Sequence, residues 1–298
     1  MKHWIEAFRL RTLPLALASI GMGTFLAAAQ GHFNALIFAL CALTTIFLQV
    51  LSNLANDYGD SVHGADGKNR VGPARAVQSG LISKSAMKKA MVLFSLLSLL
   101  AGVALIYVAF GGSPKVFGVF LGFGVLAILA AITYTAGFKP YGYVGLGDLS
   151  VLIFFGFMAV MGSAYLYDPQ IHWSYVWPSL STGLFSVAVL NLNNIRDIES
   201  DKEAGKLSIP VRLGRKGAVI YHFILLGIGL LSALTFVLIN DGGIWQFIFL
   251  LVTPLLIKNA LAVRQKSTAA ALDPYLKQMA LTTLLFVLLF GLGQLIAH

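Results

Sequence analysis

The chain has 298 residues, of which 58% are hydrophobic and only 11% charged. A soluble domain carries roughly 45–50% apolar and about 25% charged residues, so most of this surface is solvated by lipid and an ordinary water-soluble domain is excluded. The formal net charge of +9 would suit a nucleic-acid partner in a soluble protein, but its distribution along this chain gives it another meaning.

The N-terminus, "MKHWIEAFRLRTLPLALASIGMG", runs from basic to apolar as a signal peptide does. Glu6 within the charged region and the long polar lead-in point instead to a retained first helix, with residues 2–11 as a short amphipathic helix on the membrane surface. A helix needs about 20 mostly apolar residues to cross a bilayer. Residues 12–56 carry no charge, which leaves room for two such helices divided by the polar "QGHFN" at 30–34. Later charge-free runs supply the rest, and the short run at 242–257 extends past Lys258, whose long stem can snorkel. The spacing predicts nine spans, near 13–29, 35–56, 90–109, 116–135, 148–166, 175–194, 218–239, 244–263 and 279–297. The expected fold is an all-α, polytopic, nine-transmembrane-helix bundle forming one domain over 1–298. The single cysteine, Cys41, excludes an intramolecular disulfide and reads as a packing residue.

With nine spans the connections alternate sides. Twenty of the 21 Lys and Arg then fall on one side, with Lys115 alone on the other. By the positive-inside rule the basic side, with the N-terminus, is cytoplasmic and the C-terminus lies opposite. The surplus charge is thus a topology signal, and no nucleic-acid partner is expected.

The twelve acids are distributed differently. Three lie in "NLANDYGDSVHGAD" (53–66) and four in 197–203, within "NLNNIRDIESDKEAGK" (191–206). These are the cytoplasmic ends of spans 2 and 6. Asn53, Asp57 and Asp60 fall at i, i+4, i+7, on one helical face. Asp197 and Asp201 stand at i, i+4 with Asn194 three residues before Asp197, again on one face. Clustered like charges need a counter-cation, and an all-oxygen ligand set suits Mg²⁺, which shares its coordination sphere with substrate phosphates. Lys68, Arg70 and Arg75 follow the first cluster, and Arg196, Lys202, Lys206 and Arg212 surround the second. The pattern suits a cradle in which metal bridges carboxylates to a diphosphate and basic residues neutralise the remainder. Spacing alone leaves two other readings open, ion coupling in a transporter and plain loop charge. A transporter would place its ionisable groups near the midplane on broken helices, whereas these apolar runs are intact. The six histidines share no metal-like spacing.

At these motifs the chain resembles the UbiA-type membrane prenyltransferases, which carry two aspartate-rich motifs at the cytoplasmic ends of helices 2 and 6. "NDYGD" with Asp66 resembles their first motif, and "NNIRDIESDKEAGK" their second, with Asp197 and Asp201 as its acidic pair. "VGPARAVQSGLIS", "YTAGFKPYGYVGLGDLSVLIFFGFMAVMGSAYL" and "RLRTLPLALASIGMG" are similar to the branch that acts on 1,4-dihydroxy-2-naphthoate. Two positions depart from the wider pattern. Gly64 stands where some members carry a further aspartate, and Ser208-Ile209 where a threonine-leucine pair is expected. A CDP-alcohol phosphotransferase reading of "DGKNR" fails, because Lys84 and Lys88 occupy the positions of its two required aspartates.

The resemblance implies transfer of a polyprenyl group from polyprenyl diphosphate to 1,4-dihydroxy-2-naphthoate, with loss of CO2 and diphosphate, giving demethylmenaquinone. Other acceptors within the superfamily, 4-hydroxybenzoate or haem, are the alternatives. It further implies Mg²⁺ as cofactor, with Asp57, Asp60, Asp66, Asp197 and Asp201 as metal ligands. Asn53, Asn56 and Asn194 would be ligands or would orient ligands. Lys68, Arg70, Lys139, Arg196, Lys206 and Arg212 are diphosphate candidates, and Tyr134, with Tyr141 and Tyr143, is a candidate to line the site. Asp148 would position the aromatic acceptor or cap span 5. Which of Asp57, Asp60 and Asp66 touch the metal stays open.

Overall fold

The structure, a computed structural model, describes residues 2–63, 75–111 and 113–297. Among the described residues nine helices are long and apolar enough to cross a membrane. They lie where the apolar runs predict, but several continue further at the ends bearing the acids. The second span runs Ala35–His63 and the third Lys84–Phe110, so both acidic and basic residues sit on helix rather than in loop. The N-terminal helix, Lys2–Phe8, precedes the first span, Leu13–Ala29, and buries Ala7.

Local chemistry sets the ends. Asn34 Oδ1 accepts the amides of Leu36 (2.9 Å) and Ile37 (3.2 Å), which opens the second span. Ser83 Oγ accepts Ala86 N at 3.2 Å to open the third, and Gly111, left-handed at φ 56, closes it. The seventh span, Ile209–Ile239, is interrupted at Gly214 (φ 68, ψ 170). The residues before it are therefore a separate piece, and they carry Arg212, with Arg215 and Lys216 just beyond, so the charge-free run alone places the start at 218 instead of 209. The fifth span, Gly147–Tyr167, contains a π-helical stretch, Leu152–Met158. Hydropathy carries no signal for that irregularity.

The interior holds two main cores, with two smaller clusters around Cys41 and Leu192. One core joins spans 1, 5, 6, 7, 8 and 9, with the rings of Phe185, Phe249, Phe286 and Phe290 fully buried at its centre. Phe185 meets Phe286 edge-on at 4.9 Å between centroids. A second core joins the N-terminal helix to spans 2 and 3 around Leu51, Leu54 and Met87. The fourth span, Pro114–Thr133, closes the second half, and of its described residues none is buried.

Lipid offers helices no hydrophobic reason to associate, so close contact depends on small residues. A Cβ built on Gly183 would lie 3.0 Å from Gly156 Cα and 2.7 Å from Leu152 Cδ1. Spans 5 and 6, the latter Trp173–Arg196, therefore touch backbone to backbone beside the π-helical turn. Gly183→Val is expected to force them apart at a cost of about 1–3 kcal/mol. The measurement is the unfolding temperature in detergent, which should fall by several degrees relative to the unsubstituted protein.

Candidate active site

The last two turns of the second span bury Asp57 and Asp60, at 2% and 6% exposure. Each carboxylate is held by protein donors. Asp57 accepts the backbone amides of Ala76 (3.0 Å) and Val77 (3.1 Å), so it fixes the turn by which the chain returns toward span 3. Asp60 accepts Arg75 Nη2 at 2.7 Å on one oxygen and the Tyr143 hydroxyl at 3.0 Å on the other. Asn56 Oδ1 accepts the Thr135 hydroxyl at 3.0 Å. Asn53 faces another way, donating to Phe8 O (2.9 Å) and Thr12 Oγ1 (3.0 Å), which ties the N-terminal segment to span 2.

The second motif straddles a helix junction. Span 6 ends at Arg196, Asp197 is the joint, and a short helix follows at Ile198–Glu203. The expected i, i+4 relation survives through the Asp201 N–H, which donates to Asp197 O at 2.8 Å. Arg196 grips Asp197 with a two-pronged fork, Nε and Nη2 each at 2.7 Å. The same guanidinium reaches Asp273 on span 9 at 2.7 Å and Asn193 Oδ1 at 2.9 Å. Asp201 accepts Lys206 Nζ and Ser208 Oγ, both at 3.2 Å.

The two motifs meet through the segment between spans 4 and 5. Tyr143 donates its hydroxyl to Asp60, while its carbonyl accepts Leu207 N at 2.8 Å beside the second motif. Lys206 feels Asp201, Tyr134 and Asp60 together. Burial alone would lower its pKa, but the nearby acidic groups outweigh that and hold the ammonium above its ordinary value. Burial pushes the Asp201 carboxyl up, with Lys206 opposing and Asp197 reinforcing the shift. Burial likewise pushes the Tyr134 phenol up to about 12, against the lowering effect of Lys206. Acids from both motifs thus share one electrostatic neighbourhood.

Beneath this mouth lies a cavity of about 1050 Å³. Asn56, Tyr134 and Tyr141 line it at the motif end, Phe120, Phe154 and Phe157 along its wall, and Lys115 and Trp173 at the far end. Its walls come from spans 1 to 5, with Trp173, Tyr175 and Leu190 contributed by span 6.

The remaining expected residues divide. Asp66, Lys68 and Arg70 lie outside the described residues. Lys139 is exposed, with Nζ 5.6 Å from the Phe138 ring centroid. Arg212 donates to Leu207 O (3.1 Å) and Val144 O (2.8 Å), so it braces the loop that carries Tyr143. Asp148 makes no capping bond at the start of its helix; it lies close enough to Tyr221 for the two to interact, and its Oδ2 has no hydrogen-bond partner among the described residues. Sequence reasoning missed Thr135, Asp273 and Ser208. They lie near the motifs only through the fold, and for Thr135 and Asp273 no local pattern points there.

Among the described residues no three carboxylates, imidazoles or thiols converge tightly enough to hold a metal by themselves. The donor set nevertheless fits a hard cation. The acids supply oxygens only, and Asn194 Oδ1 is buried with no hydrogen-bond partner among the described residues. The Arg and Lys contacts to Asp60, Asp197 and Asp201 occupy the oxygens that a cation would use.

A family model described as the UbiA prenyltransferase family matches residues 15–285. The chain belongs to that family. Among its relatives, a 1,4-dihydroxy-2-naphthoate octaprenyltransferase of Haemophilus influenzae is 47% identical over 99% of this chain and 96% of that one. A protein of the same name from Escherichia coli is 47% identical over 97% of this chain and 94% of its own. The Mycobacterium tuberculosis counterpart is 36% identical over 96% and 94%. The fold matches a UbiA homolog from Aeropyrum pernix K1 with a TM-score of 0.65 at 18% identity, covering 97% of this chain and 98% of that one. It also matches a UbiA homolog from Archaeoglobus fulgidus bound to DMAPP and Mg²⁺, with a TM-score of 0.63 at 16% identity and 99% coverage of each chain. This UbiA family chain is therefore a helical, polytopic membrane protein, as the charge-free runs predict.

Gly59 lets the first motif sit against the Thr135 backbone, because a Cβ there would lie 2.4 Å from Thr135 O. Neither helix nor loop can give cheaply at that point. Gly59→Ala is expected to displace Asp57 and Asp60 and to lower turnover at least ten-fold. Steady-state prenyl transfer, normalised to inserted protein, measures it.

Proposed function

We propose that this protein transfers a polyprenyl group from polyprenyl diphosphate to 1,4-dihydroxy-2-naphthoate, releasing CO2 and diphosphate, within one transmembrane domain over 1–298. The observation that carries the reading is the meeting of two acid-rich helix ends, joined through Tyr143, over a large apolar cavity. The names borne by relatives at 47% identity support the acceptor.

In this reading Asp57, Asp60, Asp66, Asp197 and Asp201 hold Mg²⁺, with Asn56 and Asn194 among the oxygens around it. The metal supplies a positive charge that offsets the charge growing on the leaving diphosphate. Arg196 and Lys206 would turn from their carboxylates toward phosphate oxygens, with Lys68, Arg70, Lys139 and Arg212 as further cationic contacts. Asn53 acts at one remove, by fixing the N-terminal segment against span 2. The allylic C–O bond breaks, a C–C bond forms at carbon 2 of the acceptor, and loss of CO2 restores the aromatic ring. The product is the quinol form of demethylmenaquinone, so no oxidant is needed. Tyr134, Tyr141 and the phenylalanine wall keep water from the allylic cation and stabilise it through their ring faces. The twenty-to-one division of Lys and Arg supports a bacterial inner-membrane location with both motifs cytoplasmic.

Purified protein with Mg²⁺, a polyprenyl diphosphate and each candidate acceptor in turn tests the assignment. Prenylated naphthoquinol is expected; prenylated 4-hydroxybenzoate as the sole product would reassign the acceptor. Asp197→Asn is expected to abolish transfer while the protein still inserts, since one metal-binding charge is lost. Near-normal turnover in membranes carrying that variant would remove Asp197 from the site.

A further inference from the structure

Span 2 presents a polar stripe to the main cavity. Thr45, Gln49, Ser52 and Asn56 fall at i, i+4, i+7 and i+11, on one helical face, and all four line the cavity. Asn56 marks the motif end. By the rise of an α-helix, Ser52 lies about 6 Å deeper and Gln49 about 10 Å deeper. Span 4 runs in the same direction. The Thr135 hydroxyl reaches Ala55 O and Asn56 Oδ1, each at 3.0 Å, which sets Tyr134 level with Asn56. Ala130 and Ala127 then come level with Ser52 and Gln49, and both line the cavity. Two methyl groups at the depth of two polar side chains leave room for a planar ring system.

Gln49 and Ser52 are open to the cavity and have hydrogen-bonding capacity to spare. Both are half-buried. Ser52 makes no hydrogen bond to another described residue. Gln49 Nε2 reaches Asn53 Oδ1 only at 3.5 Å, the outer limit for such a bond, and its Oε1 accepts none from a described residue. Neighbouring hydroxyls differ. Thr44 donates to Leu40 O at 2.8 Å, and Ser150 is bonded to Tyr141 at 3.0 Å. A free hydroxyl and a nearly free amide in an apolar cavity favour a ligand that brings hydrogen-bonding groups of its own.

The chemistry of the two groups narrows the ligand. A polyprenyl tail offers nothing to either. Among the described residues Lys115, at the far end, is the only Lys, Arg, Asp or Glu that lines the cavity, so an ionic group finds no counter-ion at the depth of Gln49. Residues three apart on a helix hold their Cβ atoms about 5–6 Å apart, close to the separation of two para hydroxyl oxygens on an aromatic ring. We propose that Gln49 and Ser52 bind the two ring hydroxyls of a para-dihydroxy aromatic acceptor, Ser52 the one nearer the motifs and Gln49 the deeper one. The assignment rests on the prenyl transfer to 1,4-dihydroxy-2-naphthoate proposed above. With the 1-hydroxyl at Ser52 and the 4-hydroxyl at Gln49, carbon 2 of that acceptor lies on the motif side, where the allylic carbon parts from its diphosphate.

The test is titration calorimetry of the full chain in detergent, without oxygen. The ligands are 1,4-dihydroxy-2-naphthoate and 1-hydroxy-2-naphthoate, which lacks the 4-hydroxyl. The unsubstituted protein is expected to bind the dihydroxy compound about ten-fold more tightly, the worth of one neutral hydrogen bond. Gln49→Met keeps the length of the side chain and is expected to bind the two compounds alike. Ser52→Ala is expected to weaken both about ten-fold. Binding of geranyl diphosphate with Mg²⁺ is expected to change less than about two-fold in either variant, which separates loss of the acceptor site from a general disturbance of the fold. Equal binding of the two naphthoates by the unsubstituted protein overturns the assignment even where neither variant folds. So does a ten-fold difference that survives in Gln49→Met, undiminished binding in Ser52→Ala, or a matching loss of the diphosphate. Failure of the unsubstituted protein to bind either naphthoate overturns the acceptor reading as well as the site.

Discussion

A carboxylate buried at the edge of an apolar bundle requires a partner, and that requirement organises the motif end of this protein. Asp57, Asp60, Asp197 and Asp201 are all at least nine-tenths buried. Each is met by a donor from a different part of the chain, whether the turn at 75–77, the loop carrying Tyr143, the adjacent Arg196 or the segment at 206–208. Removing one partner of a buried pair costs about 3–5 kcal/mol, because the other charge is left stranded. The loops are therefore held in place by the acids. In the proposed reaction a cation would take these oxygens while the Arg and Lys donors turn toward phosphate.

Arg196 shows how far this reaches. It binds Asp197 next to it in sequence and Asp273 on span 9, so the second motif is anchored to the tightly packed aromatic half of the molecule. The first motif is anchored to the other half, around Leu51, Leu54 and Met87. The cavity runs between the two cores. At its mouth Tyr143 bonds to both motifs, and Arg212 braces the loop that carries it.

Much of this was legible in the sequence, for identifiable reasons. Lipid solvation leaves long charge-free runs, which set the number and order of spans, and the scarcity of charge made the two acidic clusters conspicuous. Other features depend on long-range contacts that leave no local trace. Gly59 resembles any helical glycine until Thr135 is placed against it. Asp273 reads as a loop acid until span 9 brings it to Arg196. Asn53 shares the helical face of Asp57 and Asp60, but its amide hydrogens are taken by Phe8 and Thr12, a distant segment that competes for the same side chain. The π-helical stretch in span 5 lies where Gly156 approaches Gly183, a contact that no hydropathy pattern encodes.

The fourth span has a consequence of a different kind. Pro114–Thr133 buries no described residue, sets only part-buried Ile128, Ala131 and Ile132 against the core of spans 2 and 3, and meets span 5 where Phe120 stacks on Tyr165 at 5.6 Å between centroids. The wall opposite is fixed by interlocking aromatic rings, whereas this one rests on fluid lipid. The cavity is thus rigid on one side and compliant on the other. Bulkier side chains on the inner face of span 4 would push the helix outward at little cost, so variation in cavity width is most easily tolerated along this wall.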